Sequence, residues 1–157
     1  MLQTNEEYRG KVNMRESLIV LDQQMLEQMH SHAISTYPEE CCGLILGKFD
    51  GFTKKVQRVK KMKNSFEPKE RYHRYTIDPK EFLQAEKEAD SFGEEIVGIY
   101  HSHPNAPPKP SEFDRNHAWP NLSYIVIEIR EQKPLNTFGW ILSEDRSEFV
   151  QEQIMVK

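Results

Sequence analysis

The chain has 157 residues, of which 37% are hydrophobic and 29% are charged. This length suits one globular domain, and no apolar run approaches the ~20 residues that a membrane helix needs. The formal net charge of −4 argues against nucleic acid as the main partner. The two cysteines are adjacent, which is a poor basis for a disulfide framework, and the N-terminus lacks a signal-peptide pattern. We therefore expect a cytoplasmic protein that does not enter a membrane.

Residues 1–14 are polar and aperiodic, so we expect a loose N-terminal tail followed by a single domain over 15–157. In chain order, apolar periodicity and turn residues predict strand 17–21, helix 23–36, strands 41–47, 52–62 and 72–77, helix 79–92, strand 96–103, a short helix 111–118, and strands 122–130, 135–142 and 149–156. This order predicts a mixed α/β or α+β fold with one central sheet.

Local signals set the limits of the two longer helices. Asp22 is the expected N-cap of the first helix and Pro38 ends it. Asp78 followed by Pro79 begins the second helix, because proline is favoured at the first helical position. Gly93 is the expected end of that helix.

One segment departs from the acidic balance of the chain. Six basic residues lie within ten positions: Lys54, Lys55, Arg58, Lys60, Lys61 and Lys63. The segment is either the solvated face of a strand or a docking surface for an acidic partner, and the sequence alone leaves both interpretations open.

Two histidines at the end of a predicted strand indicate a metal site. His101 and His103 are two apart, so their side chains point to the same face and can reach one ion. Asp114 follows in the predicted short helix, and the proline-rich loop 104–110 could bring it back as a third ligand. Two histidines and one carboxylate with an open fourth position are typical of a catalytic zinc site.

A hydrolytic zinc site also needs a base and a group that stabilises an oxyanion. Glu39 and Glu40 are the candidate bases, because they precede a predicted core strand. Ser111 offers a hydroxyl for the oxyanion. The segment from Ser111 to Asp114 also fits a capping box, and Ser111 could serve both purposes.

Taken together, these residues resemble the JAMM (MPN+) metalloprotease family. The family signature H-x-H-P-x₆-S-x₂-D matches from His101 to Asp114 at every position. The upstream family segment P-x-E-x-C-G-L matches from Pro38 to Leu44, and further positions of the short bacterial members match at Asn64, 75–79 and 98–100. The resemblance covers about 17–150.

The resemblance implies the JAMM/MPN (cytidine-deaminase-like) fold, with a central mixed β-sheet flanked by helices. It implies one zinc ion per chain, bound by His101, His103, Asp114 and a water molecule. Glu40, and not Glu39, would be the general acid/base, and Ser111 would steady the oxyanion.

The resemblance further implies hydrolysis of the bond after the C-terminal Gly-Gly of a ubiquitin-fold sulfur-carrier protein or ubiquitin-like protein. An alternative is a non-catalytic MPN-type module that docks a ubiquitin-fold partner without cutting it. Inactive members of the superfamily lack one or more of the five residues, whereas this chain has them all, which favours the enzyme. Among the other residues, we expect His30, His32 and His117 on the surface, and Trp119 in the core or at a rim.

Overall fold

The computed structural model describes residues 17–157, so the predicted tail 1–14 lies outside the described residues. The elements are β1 (Leu18–Leu21), α1 (Gln23–Thr36), β2 (Cys42–Asp50), β3 (Thr53–Met62), a 3₁₀ turn (Pro68–Glu70), α2 (Pro79–Ser91), β4 (Glu95–Pro104), α3 (Glu112–His117), β5 (Ser123–Arg130), β6 (Lys133–Leu142) and β7 (Phe149–Val156). No helix in the described range is long and apolar enough to cross a membrane.

The seven strands form one mixed sheet in the order β1-β3-β2-β4-β5-β6-β7. The pairs β1–β3, β1–β7 and β4–β5 are parallel and the other pairs are antiparallel. The prediction of a mixed sheet with helices is confirmed, but the sheet has no open edges, because β1 pairs with both β3 and β7 and closes it into a barrel. Apolar periodicity could not reveal this, since it reports which face is buried and not how many neighbours a strand has.

The two faces of the sheet carry separate cores. On one face, Met29 and Ala33 of α1 pack with Ile45 and Ile125 of the sheet. On the other face, the core contains Ala85 and Ala89 of α2 and several strand residues: Leu44, Leu46, Ile99 and Tyr124. The functional residues described below lie on the side of the sheet that α2 and α3 cover.

The predicted strand 72–77 is not a strand. The segment is a loop between the 3₁₀ turn and α2, and one of its carbonyls, that of Thr76, accepts from the Ser65 amide rather than from a ladder neighbour. Tyr75 and Ile77 pack against the core on the α2 side. Their burial produces the alternating pattern that suggested a strand.

The prediction that His32 lies on the surface is also wrong. The His32 side chain is buried against β4, and its Nδ1 atom lies 2.8 Å from the Tyr100 hydroxyl. Burial lowers the pKa of His32 to about 4. A histidine on the inner face of a helix is thus satisfied by a core tyrosine, which the helical spacing of His32 did not distinguish from a surface position.

Most of the basic segment is neutralised within the chain. Four of its six cations form ion pairs: Lys54 with Glu152, Lys55 with Asp50, Arg58 with Glu88 and Glu94, and Lys60 with Glu88. Across residues 17–157, Lys61 and Lys63 are the two members of the segment without such a pair. Any docking role for this segment therefore depends on Lys61 and Lys63.

Candidate functional site

Strand β4 delivers both histidines to the same face. It lies between β2 and β5, with His101 in register with Cys42 on one side and Val126 on the other. His101 is completely buried and His103 is 7% exposed. The ring centroids are 5.0 Å apart, so the two imidazoles lie close enough to share one ion.

Helix α3 brings Asp114 back to the histidines. The Ser111 hydroxyl accepts from the Asp114 amide at 3.0 Å, and the Asp114 carboxylate accepts from the Ser111 amide at 2.8 Å, so the predicted capping box is confirmed. The same Asp114 Oδ2 atom lies 3.2 Å from His103 Nε2 and 3.4 Å from His101 Nε2. Capping therefore fixes the carboxylate at the histidine pair.

The structure also separates the two candidate glutamates. Glu39 is exposed, whereas Glu40 is 3% exposed, and its carboxylate lies within 4.8 Å of the ligand atoms of His101 and His103. The Glu40 Oε1 atom has no hydrogen-bond partner among the described residues. Glu40 is therefore the acidic residue from the upstream segment that the fold brings to the histidines.

Asp114 and Glu40 differ in their expected charge. Burial raises the pKa of Glu40 to about 8, and the nearby His103 offsets this only in part. Burial acts in the same direction on Asp114, but the His101 and His103 imidazoles outweigh it and hold the Asp114 pKa well below its usual value. At neutral pH, in the absence of a metal, Asp114 is an anion and Glu40 carries a proton.

The two histidines are also in different states. Burial lowers the pKa of His101, so its ring is neutral, which is the form that binds a metal. For His103, burial also acts to lower the pKa, but hydrogen bonding to Asp114 and the nearby Glu40 outweigh it and raise the pKa. The His103 Nδ1 atom lies 2.8 Å from the Pro107 carbonyl oxygen, which fixes the orientation of that ring.

Several buried polar atoms at this point lack partners. Both ring nitrogens of His101 and one Glu40 oxygen have none among the described residues. Leaving a buried polar atom unpaired costs about 1–3 kcal/mol, so the unpaired Glu40 Oε1 and His101 Nε2 beside the same histidine pair indicate a position for a ligand. Histidine nitrogens and carboxylate oxygens are ligands that zinc and related ions accept, and this buried Glu/His/His group could hold a metal.

Two ligand sets are geometrically available around the histidine pair. One adds Asp114, whose Oδ2 is close to both Nε2 atoms, and the other adds Glu40. The charges favour Asp114 as the metal ligand, because it is already an anion, and leave Glu40 free to exchange a proton.

A cavity of about 680 Å³ opens beside Asp114. Its walls are mainly apolar and come from the loop 64–78, α2, β4, α3, the segment after α3 and β5. The aromatic residues among them are Phe66, Tyr75, Phe82, Phe113, Trp119 and Tyr124. Trp119 is 62% exposed and thus lies at a rim, as expected. The sequence gives no sign of this cavity, because the residues that line it come from separate elements and share no spacing.

The chain is similar to proteins of a known family. The family described as "Prokaryotic homologs of the JAB domain" matches residues 22–144. The chain is similar to a desampylase of Pyrococcus furiosus, with 37% identity over 113 residues that cover 71% of this chain and 72% of the relative. It is also similar to a protein of Thermus thermophilus described as a probable TtuB-protein conjugate cleaving protease, with 30% identity covering 66% of this chain and 65% of the relative.

The chain is also similar to a solved structure. The solution structure of protein DSY2949 from Desulfitobacterium hafniense superposes with a TM-score of 0.77 at 33% identity, and the match covers 88% of this chain and 92% of that chain. The family match spans most of the chain and includes Glu40, the histidine pair and Asp114. The chain therefore belongs to the prokaryotic JAB-domain family.

Proposed function

We propose that this protein is a zinc metallopeptidase that hydrolyses the peptide or isopeptide bond after the C-terminal Gly-Gly of a ubiquitin-like or sulfur-carrier protein. The observation that carries the proposal is the buried group of His101, His103, Asp114 and Glu40, whose ligand atoms lie close together and include unpartnered atoms of Glu40 and His101. The similarity to a desampylase and to a protease that cleaves protein conjugates supports the reaction and the substrate class.

The residues present fit one zinc ion per chain. His101 and His103 would bind it through Nε2, and Asp114 through Oδ2, the atom nearest to both histidines. Bound zinc polarises a substrate carbonyl and lowers the pKa of a water molecule to about 7. The Asp114 carboxylate would balance part of the charge of the ion.

Glu40 is the proposed general acid/base. Its free oxygen can take a proton from the attacking water and deliver it to the leaving amine, because neither role competes with an existing hydrogen bond. Without a bound metal, burial raises the pKa of Glu40 to about 8, and a pKa near neutrality suits a group that must both accept and donate a proton.

Ser111 is the proposed oxyanion donor. Its hydroxyl oxygen accepts from the Asp114 amide, and within residues 17–157 its own hydrogen has no acceptor. The hydroxyl can therefore donate to the oxygen of a tetrahedral intermediate while Ser111 still caps α3. The aromatic cavity beside Asp114 would receive an extended segment of the substrate that carries apolar side chains.

Three further expectations stay predictions: the single domain over 15–157, the kinship of the fold with the cytidine deaminases, and a cytoplasmic location. The last agrees with two free, buried cysteines, Cys41 and Cys42.

The direct test uses purified, zinc-analysed protein and a ubiquitin-fold carrier with extra residues after its Gly-Gly. Intact mass should reveal a product that ends at Gly-Gly, and a chelator should abolish it. A carrier in which Gly-Gly is replaced by Ala-Ala is the matched control and should stay intact. Tight binding of the zinc-loaded protein to the carrier without cleavage would instead identify the alternative, a non-catalytic binding module.

A further inference from the structure

The rings of His101 and His103 are held in place by different kinds of contact. A metal-binding histidine usually donates its second ring N–H to a carbonyl, carboxylate or water, which fixes the ring orientation. His103 has such a partner in the Pro107 carbonyl at 2.8 Å. His101 has none, because neither of its ring nitrogens has a hydrogen-bond partner among the described residues. No hydrogen bond within residues 17–157 therefore fixes the His101 ring.

The aromatic ring of Tyr75 lies directly against His101. The two ring centroids are 4.5 Å apart and the ring planes differ by 25°, which is a stacked arrangement. His103 touches the same imidazole at a steeper angle of 57°. Stacking on Tyr75 limits the tilt of the His101 ring, as a hydrogen bond to its second nitrogen would do.

Tyr75 itself belongs to a loop, and the side chain of Asn64 holds that loop in place. The Asn64 amide donates to the Arg74 carbonyl at 3.0 Å and accepts from the Thr76 amide at 3.3 Å. These two residues flank Tyr75 in the sequence. The side-chain amide of Asn64 thus fixes the backbone on both sides of Tyr75.

The same Asn64 side chain also reaches the proposed general base. Its Nδ2 atom donates to the Glu40 carbonyl at 3.1 Å, and its Oδ1 atom accepts from the Phe66 amide at 3.1 Å. The Glu40 amide in turn donates to the Arg71 carbonyl at 2.7 Å. One asparagine therefore joins the segment of Glu40 to the loop of Tyr75.

We propose that Tyr75 is a positioning residue that orients His101 for metal binding by stacking, and that Asn64 holds Tyr75 in that position. The proposal rests on the metal site of the proposed function. It concerns the face of the Tyr75 ring that stacks on His101 and assigns no role to the Tyr75 hydroxyl. It predicts that the aromatic ring, and not the hydroxyl, is what the metal site requires.

The test compares zinc dissociation constants, measured by competition with a chromogenic chelator. Loss of a group that orients a metal ligand typically costs about 10–100-fold in metal affinity, so Tyr75→Leu should weaken zinc binding by about this factor. Tyr75→Phe keeps the ring and should bind zinc like the wild type. Tyr72→Leu is the matched control, because Tyr72 is an exposed aromatic residue of the same loop that stacks on His73 instead of His101.

Asn64→Asp provides a second variant that leaves the tyrosine untouched. It removes both donor bonds and places an oxygen against the Glu40 and Arg74 carbonyls, so it should also weaken zinc binding. The visible absorption spectrum of the Co²⁺-substituted protein should change in Tyr75→Leu and Asn64→Asp and stay the same in Tyr75→Phe. Thermal unfolding of the metal-free variants separates these effects from a general loss of folding.

Wild-type affinity and an unchanged cobalt spectrum in folded Tyr75→Leu would overturn the inference, as would an equal loss in Tyr75→Phe and Tyr75→Leu. Either result would leave the proposed function standing if the wild type binds zinc and cleaves the carrier. A wild-type protein that binds no zinc would instead overturn the proposed function.

Discussion

Two buried glutamates of this protein have opposite surroundings. Glu152 on β7 is 2% exposed, accepts from the hydroxyls of Ser17 and Ser123, and forms an ion pair with Lys54 at 3.0 Å. Glu40 is 3% exposed and has an oxygen with no partner in the part of the chain that the structure describes. Burial alone therefore does not distinguish a structural carboxylate from a functional one, whereas the state of its hydrogen bonds does.

The difference has an energetic meaning. A buried charge is tolerated when its partners replace the lost water, and the Glu152 network, which joins β7 to β3, β5 and the segment before β1, meets this requirement. The surroundings of Glu40 do not replace that water, so this site lowers the free energy of unfolding. Binding of a metal and substrate would offset the loss. We expect changes at Glu152 to act on stability and changes at Glu40 to act on the reaction.

The largest expected effect is the loss of cleavage activity in Glu40→Gln. Removal of a general acid/base typically costs about 10²–10⁴-fold, so kcat for cleavage of a Gly-Gly-extended carrier should fall by this factor while the variant stays folded. Glu39→Gln, one position away and exposed, is the control and should keep full activity. Unchanged activity of Glu40→Gln would show that Glu40 is not the general acid/base. Glu40 would then not differ from Glu152 in function.

At the other glutamate, Glu152→Gln should act on folding. The substitution leaves the Lys54 ammonium, only 8% exposed, without its counter-charge, and breaking a buried pair in this way costs about 3–5 kcal/mol. Urea unfolding should show a loss of this size, with kcat of the folded fraction unchanged. The double variant Lys54→Met/Glu152→Leu removes both charges and should recover much of the loss. A single variant as stable as wild type would mean that the network is not structural.

A smaller effect with the opposite sign is expected for the stability of Glu40→Gln without metal. The folded-state pKa of Glu40 is raised from 4.5 to about 8, so its contribution to stability is complete below pH 4.5 and is lost as the pH rises through 8. At about 1.4 kcal/mol per pKa unit, the loss has an upper limit of about 5 kcal/mol. Metal-free Glu40→Gln should therefore unfold at higher temperature than metal-free wild type at pH 8.

The advantage of Glu40→Gln should shrink towards zero as the pH is lowered to 4.5. Thermal unfolding in chelator at both pH values measures it. An equal difference at the two pH values would show that the ionisation of Glu40 is not its cause.

The smallest expected effect is at the unpaired end of the basic segment. Lys61→Glu/Lys63→Glu should raise KM for a protein carrier a few-fold, because exposed charges contribute about 0.2–1 kcal/mol each, and should leave a short peptide substrate unchanged. Lys60 is left unchanged in this variant because it pairs with Glu88. Lys48→Glu, at the far end of β2, is the control. Equal KM changes for both substrates would mean that this segment does not dock the carrier.

Much of the local structure could be predicted from the sequence. Helix α1 has the predicted limits, and the Asp22 and Asp78 caps accept backbone amides as expected. The approach of His101, His103 and Asp114 follows from two local rules, the alternation of side chains along a strand and the capping box at Ser111. Both rules depend only on neighbours in the chain, which is why they held.

The contacts that the sequence did not predict are long-range. Closure of the sheet by β1, the His32–Tyr100 contact and the Glu152 network each join residues that are far apart in the sequence. The loop 72–77 has the pattern of a strand because Tyr75 packs against His101 of β4, although the loop has no strand neighbour. A local pattern reports that a residue is buried and carries no information about what buries it.

The most direct test of the central claim is the zinc content of Asp114→Asn and Glu40→Gln after purification and dialysis against trace zinc. We predict that Glu40→Gln retains about one zinc per chain but does not cleave the carrier, whereas Asp114→Asn, like His103→Ala, loses the metal and the activity. Loss of zinc from Glu40→Gln together with full zinc in Asp114→Asn would contradict this account, because Glu40 would then be the metal ligand and Asp114 only the cap of α3.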